Sequence, residues 1–197
     1  MSEPTEREYK WPHMPGPTIK AVRHGLGVSL SWFAEQLGVD EDTVLGWETE
    51  RTEAPTIACM FIAMLEEIAQ RMVDRAVAGI YQQMDAHGRP SEPLLLVSYA
   101  NDEDFARYCR DFGQMSAEFH LTVLARVRWT LVAAPLHLVS EIRQLDASAY
   151  EAWRSALKLK DSDALRSQFA ALADHSRELF DALRVAEHCE RPRTGNT

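Results

Sequence analysis

The hydrophobic residues of this chain recur mostly at steps of three and four, which predicts a mainly α-helical protein. The longest such run lies between residues 56 and 84 and comprises Ile57, Phe61, Met64, Leu65, Ile68, Met72 and Ile80. It predicts one long helix or two joined helices, with Thr56 as the N-terminal cap behind Pro55. We interpret this Met-rich stripe as a surface that faces the core, since methionine readily fills the gaps of protein interiors.

A different pattern follows at residues 85–93, where Gly88, Pro90 and Pro93 predict a turn or linker. The sequence LLLVSY at 94–99 is a short apolar run, and it is the best candidate for a β-strand. Helical periodicity then resumes and continues towards the C-terminus. The pattern therefore predicts a mainly α fold with one short strand.

The final helix, which Ser162 is placed to cap, carries apolar residues that alternate at steps of four and three. They are Leu165, Phe169, Leu172, Leu179, Leu183 and Ala186. This heptad seam either closes a helical bundle within the chain or pairs with a second copy.

The chain divides into four parts by composition and periodicity. Pro4, Pro12, Pro15 and Pro17 leave no room for a helix near the N-terminus, so we predict a flexible tail there. The predicted parts are a tail at 1–17, a first domain with its connecting helix at 18–84, a second helical domain at 94–190, and a tail at 191–197.

Residues 18–55 combine core positions, helix caps and a turn in a defined order. The predicted inner faces of the first two helices comprise Ile19, Val22, Leu26, Phe33, Ala34 and Leu37. Ser29 and Asp40 are placed to cap the second and third helices, and Gly38 suits the left-handed turn between them. With Trp47-Glu48 and Pro55, this spacing resembles the helix-turn-helix of the Cro/Xre family of DNA-binding proteins.

The resemblance implies a λ-repressor-like N-terminal domain of five helices, whose third helix lies in the major groove of DNA. The groove-facing residues would be Glu41, Asp42, Thr43, Leu45 and Gly46, and the phosphate contacts Lys20, Arg23 and Arg51. The layout after this domain is similar to that of small bacterial and phage autorepressors with a C-terminal dimerisation domain, including those associated with anti-CRISPR operons. We expect a sequence-specific transcriptional regulator, a repressor or autoregulator, that binds its double-stranded DNA operator as a homodimer. The final helix is the first candidate for the dimer seam, and the strand is the second.

The charge of the chain argues against DNA binding. Its formal net charge is −9, and residues 18–55 hold three basic residues against seven acidic ones. Carboxylates that face a phosphate backbone repel it, which weakens the usual electrostatic gain of DNA binding. An alternative function is therefore a non-catalytic protein-interaction module or an antitoxin, in which the acidic helix-turn-helix binds a protein partner.

The remaining sequence features predict a cytoplasmic protein without a cofactor. No apolar run is long enough for a membrane span, and the polar start lacks the features of a signal peptide. The three cysteines are few and far apart, so we expect reduced thiols. The seven histidines show no metal-binding spacing, and we predict no metal site. Cys109 and His120 form the one conceivable catalytic pair, but no third group supports them, so we do not expect an enzyme.

Overall fold

A computed structural model describes residues 13–110 and 115–172, which form eight α-helices and one two-stranded sheet. The helices are α1 (Gly16–Gly25), α2 (Leu30–Leu37), α3 (Glu41–Glu48), α4 (Thr56–His87), α5 (Asp102–Tyr108), α6 (Ala117–Ala133), α7 (Ala147–Ala156) and α8 (Asp163–Ala171). The strands are β1 (Leu94–Ser98) and β2 (Ser140–Gln144). The predicted mainly α class is confirmed. Between residue 13 and β1 there are four helices instead of the expected five, because residues 56–87 form a single helix.

Side-chain caps fix most helix starts where the sequence places them. The side chains of Ser29, Asp40, Asn101, Asp146 and Ser162 each accept a hydrogen bond from the backbone N–H three residues further on. The prediction for Thr56 is wrong, since α4 begins at this residue without a side-chain cap and Pro55 occupies the cap position.

The first helix begins earlier than the sequence analysis predicts. Pro15 occupies its N-cap position, and Gly16 and Pro17 already lie in its first turn. Proline is compatible with this place because the first N–H groups of a helix have no partner within the helix. The prolines therefore start α1 instead of excluding it. Residues 1–12, which hold the rest of the predicted tail, lie outside the described part of the chain.

The predicted strand is confirmed as β1, and a second strand that the sequence analysis missed pairs with it. The pairing is parallel, with a register that runs from Leu94 opposite Ser140 to Ser98 opposite Gln144. The intervening α5 and α6 make the crossover that a parallel pair requires. Because β2 has the sequence SEIRQ, with Ile142 as its one apolar residue, its own pattern gives no strand signal.

Buried side chains form two clusters. The larger one joins α1–α4 to β1 and to the inner face of α6, which contributes Phe119, Val123, Leu124, Val127 and Leu131. The packing of the helix-turn-helix therefore includes residues that follow the predicted linker at 85–93.

The second cluster is largely aromatic and contains Tyr99, Phe105, Ala117, Leu145, Tyr150, Trp153 and Phe169. Phe169 belongs to the predicted heptad seam, so the described part of that seam packs within the chain. Its later members, Leu179, Leu183 and Ala186, lie outside the described residues, as does the predicted tail at 191–197.

Gly27, in the loop between α1 and α2, lies directly against the first turn of α6. A Cβ atom there would come within 2.7 Å of the carbonyl oxygen of Glu118, and the φ angle of Gly27 is +65°. Gly38 has a similar φ of +67°, but open space surrounds its missing Cβ. Alanine at Gly38 would incur the free-energy cost of left-handed backbone alone, whereas alanine at Gly27 would also incur the cost of a clash with α6.

We expect Gly27→Ala to destabilise the protein more than Gly38→Ala. The second substitution costs roughly 1 kcal/mol because it forces alanine into left-handed backbone. The first adds a clash with backbone atoms of α6, for a total of about 2–4 kcal/mol. Urea unfolding of both variants measures the difference, and equal losses would contradict the close packing of α6 on this loop.

Candidate functional site

The turn between α2 and α3 has the geometry of a helix-turn-helix. Gly38 takes the left-handed conformation, and the N–H of Val39 donates to the carbonyl of Ala34 at 3.1 Å. Asp40 then starts α3 by accepting from the N–H of Thr43 at 2.7 Å. Hydrogen bonds from the side chain and backbone of Thr43 lower the pKa of the Asp40 carboxyl, so the cap stays ionised at neutral pH. Local sequence signals therefore place α3 as predicted.

The inner side of α3 is fixed in the core, and its outer side is open. Val44 and Trp47 are buried as expected. Glu41 and Asp42 are exposed, and Leu45 retains 39% of its accessible surface. We call Glu41, Asp42 and Leu45 the outer face of α3.

Thr43 and Gly46 do not belong to this face in the way that the sequence analysis predicts. Thr43 is half-buried, and its side chain hydrogen-bonds Asp40. The prediction for Gly46 is wrong, because this residue is buried under the segment that follows α3. A Cβ atom there would lie 3.0 Å from the Thr52 hydroxyl oxygen. Gly46 thus leaves room for the chain to fold back across the helix.

Arg51 uses this room to reach the outer face of α3. Its Nη2 donates to Oδ1 of Asp42 at 2.9 Å, and the backbone carbonyl of Asp42 lies 3.4 Å away. Both side chains stay more than half exposed, so solvent screens the pair and it contributes little to stability. Its effect is electrostatic, since it offsets one carboxylate of the face and holds a guanidinium beside it.

The prediction that Arg23 contacts phosphate is wrong. Its side chain is 6% exposed, and its Nε donates to Oε1 of Glu48 at 2.6 Å. Nη2 donates to the second carboxylate oxygen at 3.1 Å, and Nη1 donates to the carbonyl of Val28 at 2.7 Å. The helical periodicity of the sequence indicates that Arg23 is buried, because it follows Ile19 by four residues and precedes Leu26 by three, on the buried face of α1.

We expect Arg23→Ala to lower the free energy of unfolding by about 3–5 kcal/mol, because it leaves the Glu48 carboxylate buried without a partner. The double variant Arg23→Met with Glu48→Leu should lose much less, since it removes both charges and keeps the volume. Arg71→Ala is the control, because it breaks an exposed ion pair with Glu67 that is worth less than about 1 kcal/mol. Denaturant unfolding that gives Arg23→Ala the same small effect as the control would contradict the buried pair.

The surface charge around α3 remains acidic. Between residues 18 and 55 the exposed cations are Lys20 and Arg51, and the exposed carboxylates are Glu35, Asp40, Glu41, Asp42, Glu50 and Glu53. Lys20 is an exposed residue of α1, and its contact with phosphate stays a prediction. Two cations against six carboxylates give a weak electrostatic drive towards DNA.

Cys109 and His120 lie on the wall of one cavity of about 680 Å³ between α4, β1 and α8. The His120 ring packs against the rings of Tyr99 and Phe105, with centroids 5.6 and 5.0 Å away. Its Nδ1 is buried without a hydrogen-bond partner. Burial lowers the pKa of His120 to about 4, so the ring is neutral near pH 7 and packs as an aromatic side chain.

Folding stability should fall between pH 6.5 and 4 because of His120. Its pKa is about 4 in the folded protein and near 6.5 in the unfolded chain, which therefore binds a proton first as the pH drops. The stabilisation is complete above about pH 6.5, and roughly 2–3 kcal/mol is lost on the way to pH 4. Denaturant unfolding at several pH values should show this slope in the wild type and in the exposed-site control His87→Gln. His120→Phe should remove most of the slope, and an unchanged slope would contradict the assignment.

The described residues hold no group of three or more His, Cys, Asp or Glu side chains that could bind a metal ion. No helix in the described ranges is long and apolar enough to cross a membrane. No known family model matches the sequence. A search of curated proteins finds no match either.

Proposed function

We propose that the protein is a sequence-specific DNA-binding transcriptional regulator of the Cro/Xre type, a repressor or autoregulator that acts as a homodimer in the cytoplasm. The observation that carries the proposal is a short helix, α3, set on a helix-turn-helix with its outer face open to solvent. A recognition helix in this position enters the major groove, where side chains contact base edges.

The chemistry of the outer face fits a narrow set of base contacts. Carboxylates such as Glu41 and Asp42 accept hydrogen bonds from the amino group of cytosine, and Leu45 offers an apolar contact for the methyl group of thymine. Between residues 18 and 55, Arg51 and Lys20 are the exposed cations that can bind phosphate oxygens. Because so few cations are available, we expect a shallow salt dependence and a large share of the affinity from base contacts.

A second function, binding of a protein partner as in an antitoxin, is favoured by the same excess of carboxylates. A partner with a basic surface would be attracted to this region, whereas DNA would be repelled by it. An antitoxin combines the two functions, since it neutralises a partner and binds its own operator. The two proposals differ in the charge of the partner that meets the outer face of α3. DNA would bring negative phosphates to it, and a protein partner would bring basic side chains.

We expect the wild type to bind a duplex from the DNA upstream of its own gene saturably at low salt, and an unrelated duplex of the same length much more weakly. Arg51→Ala removes a phosphate contact and leaves Asp42 without its counter-charge. It should weaken binding by about tenfold and reduce the salt slope by about one. Fluorescence anisotropy over a series of salt concentrations measures both quantities.

Arg71→Ala is the matched control, since it also removes an arginine from an exposed ion pair but lies on α4. Its affinity should equal that of the wild type. If the wild type shows no saturable DNA binding, the regulator proposal fails. Stable co-purification with the product of the neighbouring gene, abolished by Glu41→Lys, would then support the protein-binding function.

A further inference from the structure

Helix α6 is apolar on two opposite sides. Its inner side packs in the larger core through residues such as Phe119, Val127 and Leu131. Its other side carries Leu121, Ala125, Trp129 and Val132, at steps of four, four and three. We call these four residues the outer face of α6. All four are exposed, and Trp129 keeps 71% of its accessible surface.

The outer face of α6 differs from an ordinary solvated helix surface. Between residues 66 and 75 the exposed side chains of α4 are Glu66, Glu67, Gln70, Arg71, Asp74 and Arg75, so this stretch is charged and polar, and the exposed apolar residues Ile57 and Met64 lie before it. A surface helix needs one apolar stripe to pack on its own core, so a second apolar stripe on the opposite side is available for another contact. The segment that follows the helix adds two exposed apolar residues, Leu136 and Val139, which keep 43% and 64% of their accessible surface. This concentration of exposed apolar side chains is typical of an association surface.

Charge indicates what covers this surface. No acidic residue lies between Glu118 and Glu141, although the chain as a whole has a net charge of −9. The two arginines of α6 are held by carbonyls of their own chain. Arg126 donates to Gly25 at 3.2 Å, and Arg128 donates to Ser140 at 3.3 Å. Two copies of an acidic chain repel each other least where their carboxylates are absent, so this stretch suits contact with a second copy.

We propose that the outer face of α6 binds the same face of a second copy, with the two helices antiparallel across a two-fold axis. An axis that crosses the outer face midway between Ala125 and Trp129 places the large Trp129 of each copy against the small Ala125 of the other. The contact is then self-complementary, as a two-fold interface requires. The proposal deepens the proposed function, because it names the surface that joins the two copies of the regulator, but its evidence is independent of DNA.

The first turn and the middle of α6 connect this surface to the helix-turn-helix. Its first turn packs on Gly27, and Arg126 binds the carbonyl of Gly25 at the end of α1. The outer face of α6 and the recognition helix thus belong to one packed unit without a linker. A dimer built in this way holds its two α3 helices at a fixed separation, which operator binding requires to be near 34–36 Å.

Sedimentation equilibrium of the full chain tests the interface. We expect a dimer for the wild type and a rise of at least about 100-fold in the dissociation constant for Trp129→Glu, because buried tryptophans dominate interfaces. Ile57→Glu is the matched control, since Ile57 is 62% exposed on α4 and should leave the dimer unchanged. Circular dichroism checks that both variants fold. A monomeric wild type, or a Trp129→Glu variant that dimerises like the control, overturns the proposal.

A mixing experiment tests the antiparallel register. Trp129→Glu and Ala125→Arg should each dimerise poorly alone. An equimolar mixture should recover a heterodimer, because one Glu–Arg pair forms and one native Trp–Ala contact remains. Lack of recovery overturns the register with Trp129 against Ala125. A wild-type dimer that binds no DNA would contradict the proposed DNA-binding function and leave the interface standing. DNA binding by a wild-type monomer would contradict the interface and the proposed homodimer, and would leave the DNA-binding function standing.

Discussion

The buried ion pair between Arg23 and Glu48 fixes the geometry of the helix-turn-helix. It joins the end of α1 to the end of α3, and the third bond of the guanidinium reaches Val28 in the loop before α2. Two charges this deeply buried tolerate little displacement, because each depends on the other for the interactions that water would otherwise supply. The orientation of α3 relative to the body is therefore set by electrostatics as well as by apolar packing.

Local signals predicted much of the fold. The caps at Ser29 and Asp40 and the apolar run of β1 depend on neighbouring residues, and the structure has them in the predicted places. Features that depend on residues far apart in the sequence were not predicted. The strand β2 is too polar to be recognised without β1 beside it, and the position of Arg51 over Asp42 depends on how the chain folds back across Gly46.

The candidate site was harder to predict than the fold because residue type and position conflicted there. Arginine on a helix-turn-helix suggests a phosphate contact, yet the helical period places Arg23 on the buried face, and the period is correct. Helix α6 also requires residue type and helical period to be considered together. Its periodicity identifies the inner face, but the outer apolar residues are visible as a separate surface only after the inner ones have been assigned to the core.

The contact between α6 and the loop at Gly27 has a consequence for biosynthesis. The helix-turn-helix leaves the ribosome well before α6, which supplies Phe119, Val123 and Val127 to the same core. Until α6 emerges, that side of the nascent domain stays open to water. The helix-turn-helix of this chain is therefore not a detachable module, and a gene fragment that ends after α4 would encode an incomplete core.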